Sequence, residues 1–155
     1  MEGFSSPALA AFFAANFVAA LSGGLFRPGP WYEALRKPPW RPPSWAFGPA
    51  WLVLYTMLAV SGWLAWSASE DWDSTIVYAV SLAFNAGWSA IFFGLRRMDL
   101  AFVWIVGLWL SIAAMIAVFA PVSSLAAWLL APYLAWVAFA AALNWTIWRM
   151  NRAPV

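Results

Sequence analysis

Cysteine and histidine are both missing from the 155 residues. Their absence removes disulfides, thiolate nucleophiles, imidazole bases and the usual ligands of zinc and haem, leaving only a lone methionine as an axial haem ligand. Charge is scarce too. Only 9% of the chain is Asp, Glu, Lys or Arg, where a soluble domain carries roughly 25%. The charges are also segregated: stretches 3–26, 42–69, 74–95 and 100–148 contain none. Proton-coupled pumps and channels with charged filters place ionisable groups inside their spans, so both classes are disfavoured. No paired carboxylates, Ser-His-Asp set or phosphate-binding glycine loop is visible. For general acid–base chemistry only Tyr55 and Tyr32 remain as proton donors. No repeat of 20–50 residues and no low-complexity tail occurs.

What the chain does have is apolar length. A run of ~20 apolar residues crosses a bilayer as a helix, and the alternation of apolar and polar residues that marks spanning strands is not seen. The last uncharged run is long enough for two spans with a turn near 121–124. The expected fold is therefore all-α, a single domain over 1–155 with five transmembrane helices at about 7–26, 44–69, 74–95, 100–120 and 123–148. The first run lacks a basic n-region and an A-x-A-like site, which reads as a retained helix rather than a signal peptide. Pro7 suits a first helical turn. Ser44 and Ser74 are candidate N-caps, and the acidic turn before Ser74 suits a helix start. Pro132 is expected to free a carbonyl near Trp128 and kink the fifth span.

With five spans, all eight Lys and Arg fall on one side: Arg27, Arg36, Lys37 and Arg41, then Arg96 and Arg97, then Arg149 and Arg152. The positive-inside rule puts loop 27–43 and the C-terminus in the cytoplasm if the membrane is an inner one. Such basic loops are topogenic, and a nucleic-acid partner is not expected.

The polar and indole groups within the spans favour the half of the bilayer beneath loop 27–43. Trp51 and Tyr55 share a face of the second span; Asn85, Trp88 and Phe92 form a stripe on the third. Pro132, Trp136, Ala140 and Asn144 follow at i+4 on the fifth, with Ala140 leaving a gap. Trp104 and Trp109 lie in the first half of the fourth span, where pocket and packing roles are both open. Trp and Tyr also gather at membrane interfaces whatever a protein does, which accounts for Trp31, Trp40, Trp45, Trp66, Trp72, Trp128, Trp145 and Trp148 as belt residues more readily than as site residues. Asn16, Asn85 and Asn144 suit either helix-to-helix bonding or the orientation of a ligand. Aromatic walls with a few amides suit a flat apolar molecule. The stretch KPPWRPPSWAFGPAW (37–51) holds five Pro and three Trp. Its paired prolines stiffen the backbone and lower the entropy lost on closure. It reads as a semi-rigid lid, with Trp40 and Pro42 facing a cavity, and Lys37 and Arg41 at the mouth to meet carboxylates.

Three stretches carry a resemblance. WYEALRKPPWRPPSWAFGPAW, FNAGWSAIFFG and APYLAWVAFAAALNWTIWRMN resemble the TspO/MBR family, the translocator proteins once called peripheral-type benzodiazepine receptors. The likeness covers about residues 7–150 and rests on Trp40, Pro42, Pro43, Trp45 and Trp51, and on Pro132, Tyr133, Leu134, Trp136, Leu143 and Asn144. It implies a five-helix bundle, commonly a homodimer, that binds tetrapyrroles such as protoporphyrin IX and synthetic isoquinoline or benzodiazepine ligands, with no required cofactor. Carried over by motif, the ligand-binding residues are Tyr32, Trp40, Pro42, Trp51, Asn85, Trp88, Trp136, Ala140 and Asn144. Some bacterial members are associated with light-dependent porphyrin breakdown, which would make Trp51 and Trp136 catalytic; an indole beside an excited porphyrin is a competent electron donor. A lipid- or sterol-binding scaffold is a third reading. The cholesterol-recognition pattern of eukaryotic relatives is incomplete here, because LNWTIWR (143–149) has Trp145 and Trp148 where a Tyr is wanted. For a dimer, the small-residue ladder Ala79, Ala83, Gly87 on the third span is preferred, with Ala11, Ala15, Ala19 and Gly23 on the first span as its rival.

Overall fold

The computed structural model describes residues 5–152. Among them there is no strand, and five helical segments are long and apolar enough to cross a membrane. The chain is an all-α integral membrane bundle. Its elements are α1 (Ser6–Leu25), a short α2 (Pro30–Glu33) in the first loop, α3 (Ser44–Ser69), α4 (Trp72–Ser89), α5 (Met98–Phe119), α6 (Ser124–Leu129) and α7 (Ala131–Met150). α4 runs on as one π-helical turn, Ala90–Gly94, and α6 with α7 makes up the fifth span. α4 packs mainly on α5, α5 on α7, and α1 against α3 and α4. The spans thus close a ring in the order one, two, five, four, three.

Local signals explain most boundaries. Ser5 caps α1 by accepting from the Ala8 N–H at 3.3 Å, with Pro7 in the first turn. Two expected caps are corrected. Ser44 is the first residue of α3 rather than its cap, and its Oγ accepts from Arg41 instead. Ser74 is the residue being capped: its N–H donates to Asp71 Oδ1 at 2.8 Å. That bond is the main reason the Asp71 carboxyl is held below the usual carboxylate range. The fifth span breaks at Leu130, two residues before Pro132. Proline supplies no N–H to the carbonyl four residues back and crowds it; the Leu130 N–H turns back to Ala127 and Trp128.

The end toward loop 70–73 is close-packed. Ser61 Oγ donates to the Ala126 carbonyl at 2.7 Å and ties α3 to α6. A β-carbon at Gly62 would lie 2.6 Å from the Tyr78 ring and 2.8 Å from Phe12, so this glycine is the notch that lets α1, α3 and α4 meet. Toward the opposite end of α4, Gly87 is filled in the same way by Trp104, whose Nε1 donates to the Phe84 carbonyl at 2.7 Å. Trp104 is therefore a packing residue. The α4 ladder is also partly consumed inside the chain, since Ala79 and Ala83 are exposed but Gly87 is covered. On α1, Ala11 is exposed, while Ala19 and Gly23 face inward.

The other end gathers the eight basic residues. Here α3 hardly touches α7, although lower down it packs on α6. The second and fifth spans diverge toward loop 27–43, and the space between them is a cavity.

Candidate functional site

The cavity has a volume of about 500 Å³, within the range of sites that enclose a drug-sized organic molecule. α1, α3, α4 and α7 all contribute to its wall. Trp51 and Trp136 face one another across α3 and α7, with ring centroids 6.3 Å apart and planes at 87°. Phe47 packs edge-on to Trp136 at 5.9 Å. On α4, Trp88 stacks on Phe92 at 5.1 Å. The π-helical turn, marked by the Leu95 N–H bonding to the Ala90 carbonyl at 2.9 Å, follows directly, and both Phe92 and Phe93 border the cavity. The wall is thus aromatic and carries only one formal charge, Arg41.

A polar network lies at the floor. Tyr55 Oη donates to Asn85 Oδ1 at 2.5 Å, and Asn85 Nδ2 donates to Tyr133 Oη at 2.6 Å. Asn16 Nδ2 donates to the Tyr55 carbonyl at 2.8 Å, and Tyr78 Oη donates to Asn16 Oδ1 at 2.6 Å. In an apolar medium such groups must find partners, so this network fixes α1, α3, α4 and α7 relative to each other. Asn144 acts similarly higher up: it accepts from Trp88 Nε1 at 3.1 Å and donates to the Met98 carbonyl at 2.9 Å. That pins the Trp88 indole in place. Trp136 differs, because its buried Nε1–H has no hydrogen-bond partner among the described residues.

Of the residues expected at the site, Tyr32, Trp51, Asn85, Trp88, Trp136, Ala140 and Asn144 line this one cavity. Trp40 and Pro42 do not, which corrects the expected orientation of the loop. The reason is a turn at 38–41, closed by the Arg41 N–H bonding to the Pro38 carbonyl at 3.1 Å. Trp40 sits at its apex, 47% exposed, and its ring lies edge-on to Phe139 at 5.8 Å, away from the cavity. The turn instead sends Arg41 inward. Lys37 is not at the mouth: its Nζ donates to the Glu33 and Leu35 carbonyls, both at 3.1 Å, at the end of α2. Phe47, on the cavity wall, and Tyr133, which holds Asn85 from behind the wall, were not among the expected site residues. Both fall on the i, i+3/i+4 stripes already traced, Phe47 with Trp51 and Tyr133 with Trp136.

The loop is also fastened at its far side. Asn151, just past α7, accepts the Arg36 N–H at 2.9 Å and returns a bond from Nδ2 to the Arg36 carbonyl at 2.8 Å. The Arg36 guanidinium adds a bond to the Met150 carbonyl.

Comparison with known proteins agrees with this architecture. The sequence model of the TspO/MBR family matches residues 9–149. The protein CrtK of Rhodobacter capsulatus is 37% identical over 92% of this chain and 91% of its own length. The tryptophan-rich sensory protein of Cereibacter sphaeroides is 36% identical over 90% and 89%. The translocator protein of Homo sapiens is 39% identical over 96% of this chain and 88% of its own. A family match over nearly the whole chain, relatives of similar length and a five-span bundle lead to one conclusion: this chain belongs to the TspO/MBR family.

Proposed function

We propose that the chain is a membrane receptor for a tetrapyrrole such as protoporphyrin IX, acting as a sensor, carrier or regulator of porphyrin intermediates. The observation that carries this reading is the aromatic cavity itself: Trp51, Trp136, Trp88 and Phe92 supply flat apolar walls beneath a cationic rim. Such walls match a planar conjugated ring, and a rigid polar floor spares the ordering cost of binding. The relatives' names, sensory protein and translocator protein, agree with a ligand-responsive role. For an inner membrane, the positive-inside rule would put the basic end in the cytoplasm. A second copy pairing through α4 would rest on Ala79 and Ala83, since Gly87 is already filled.

Light-dependent porphyrin degradation is the second reading. It is favoured by the contact between Trp51 and Trp136 and by the unpartnered indole N–H of Trp136 at the cavity wall. One experiment addresses both. Purified protein is titrated with protoporphyrin IX in the dark, followed by tryptophan fluorescence, and is then illuminated while porphyrin absorbance is recorded. Saturable quenching that weakens in Trp51→Phe and Trp136→Phe supports the receptor. Loss of absorbance in light for the wild type alone favours the photodegrader. The absence of saturable quenching overturns the tetrapyrrole reading and favours a lipid-binding scaffold.

A further inference from the structure

Among the described residues, Arg41 is the only charged one on the cavity wall, and none of their carboxylates pairs with it. The one ion pair among the described residues is Arg97 with Asp99, far along the chain. Nε of Arg41 donates to Tyr32 Oη at 3.1 Å and Nη2 donates to Ser44 Oγ at 2.8 Å. These bonds occupy one edge of the guanidinium. The end-on edge, formed by Nη1 and the second hydrogen of Nη2, has no protein acceptor among the described residues. A guanidinium presents five N–H donors in a planar fork that matches two carboxylate oxygens. The two hydroxyls add to this. Each is an acceptor toward Arg41, so each directs its own proton elsewhere, and neither proton meets a protein acceptor among the described residues. Tyr32 is 7% exposed and lies on the cavity wall, where an unused donor is costly. A second cation, Lys37, lies 4.7 Å from the centre of the Tyr32 ring, but its Nζ donates to the Glu33 and Leu35 carbonyls and it is not on the cavity wall, so Arg41 is the cation that faces the cavity.

We propose that Arg41, Tyr32 and Ser44 form a carboxylate subsite at the cavity mouth, and that it selects flat apolar ligands carrying an acidic edge over their neutral counterparts. One carboxylate lies across the end-on edge of Arg41 and takes further hydrogen bonds from the two hydroxyls, while the ring slides down between the indoles. The inference rests on reading the cavity as a ligand site; it does not require that the ligand be a tetrapyrrole.

The test uses two acid–ester pairs on the full-length protein: protoporphyrin IX with its dimethyl ester, and pyrenebutyrate with its methyl ester. The readout is the ratio of the two affinities within each pair. The wild type is expected to prefer the acid by ~10- to 100-fold, the range for hydrogen bonds to a charged group. Arg41→Gln should bring the ratio close to one, and Arg41→Lys, which keeps the charge without the fork, should give an intermediate value. A ratio that Arg41→Gln leaves unchanged overturns the subsite. So does an equal weakening of acid and ester, which would mean that Arg41 only shapes the loop. If the pyrene pair shows the Arg41-dependent ratio but neither porphyrin binds, the tetrapyrrole reading fails and the subsite stands. If none of the four probes binds, both fall.

Discussion

The two ends of the bundle are both rich in aromatic residues and are packed differently. Toward loop 70–73, Gly62 faces rings: a β-carbon there would lie 2.6 Å from Tyr78 and 2.8 Å from Phe12. Beneath loop 27–43, the glycines on the cavity wall are unfilled, Gly48 with nothing within 4 Å and Gly23 with only Ser89 Oγ at 4.0 Å, while Gly87 and Gly94, off that wall, meet Trp104 and Phe26. Lipid is as apolar as any side chain, so helices in a membrane gain from close fit rather than from escape from water. A glycine filled by a ring closes the bundle, and a glycine left unfilled holds a cavity open. The ends differ in composition, since all eight Lys and Arg lie at the open one; along the spans, what matters is whether a partner ring is aimed at the notch.

The largest effect should come from breaking the closed end. Gly62→Val is expected to destabilise by about 3 kcal/mol, toward the upper end for overpacking, because both rings it meets are buried or nearly so. Gly48→Val should shift the apparent melting point in detergent very little. Equal shifts in the two variants would remove the distinction between the ends. Next comes the boundary between them. Asn16→Ala strands the buried Tyr78 hydroxyl and removes the bond that ties α1 to the Tyr55 carbonyl and should cost about 2 kcal/mol. Unchanged melting would mean that the floor network does not hold the helices.

At the open end the expected effect moves from stability to binding. Ala140→Phe places a ring in existing space beside Trp136 and Asn144. Melting should be preserved while porphyrin affinity falls roughly tenfold or more, about 1.4 kcal/mol. If affinity is kept, the ligand does not reach this part of the cavity. The smallest effect concerns the cap of α4. The Asp71 carboxyl is held below its ordinary value by the Ser74 N–H, so its contribution is present above about pH 4, the unfolded value, and is lost as pH falls through the folded value. Asp71→Asn keeps a capping oxygen that does not titrate. Its melting point should therefore fall less than that of the wild type on acidification, and parallel pH curves would refute this.

The spans were legible because charge is costly in a bilayer and the four uncharged stretches are unbroken. The grouping of basic residues followed from the count of spans. Which face of each helix points inward was much harder to read. A soluble helix betrays its buried face by contrast with a polar one. Here both the core and the lipid are apolar, so Trp104, turned into the Gly87 notch, looks in sequence like a pocket tryptophan. The i+4 ladder from Pro132 to Asn144 also drifts by about 40° at each step on a helix of 3.6 residues per turn. Trp136, Ala140 and Asn144 stay on the cavity, while Pro132 is exposed. Trp40 was misplaced for another reason: the tight turn at 38–41 turns it outward while Arg41 stays at the mouth, and composition does not encode the orientation of that turn.

The reciprocal bonds between Asn151 and Arg36 give the cavity a time constant as well as a shape. The loop that carries Arg41 is joined to α3 at one end and held at the other by a side chain from the last helix. For a ligand too wide to leave through a closed mouth, escape waits on the opening of this fastening. Asn151 then governs residence time more than affinity. Asn151→Ala should speed association and dissociation together, leaving their ratio nearly constant, and stopped-flow quenching would separate that from a loss of binding. A membrane protein that holds its ligand for long enough reports a past encounter as well as a present concentration, and here the length of that memory is set at a residue about a hundred positions away in sequence from every aromatic of the α3 wall.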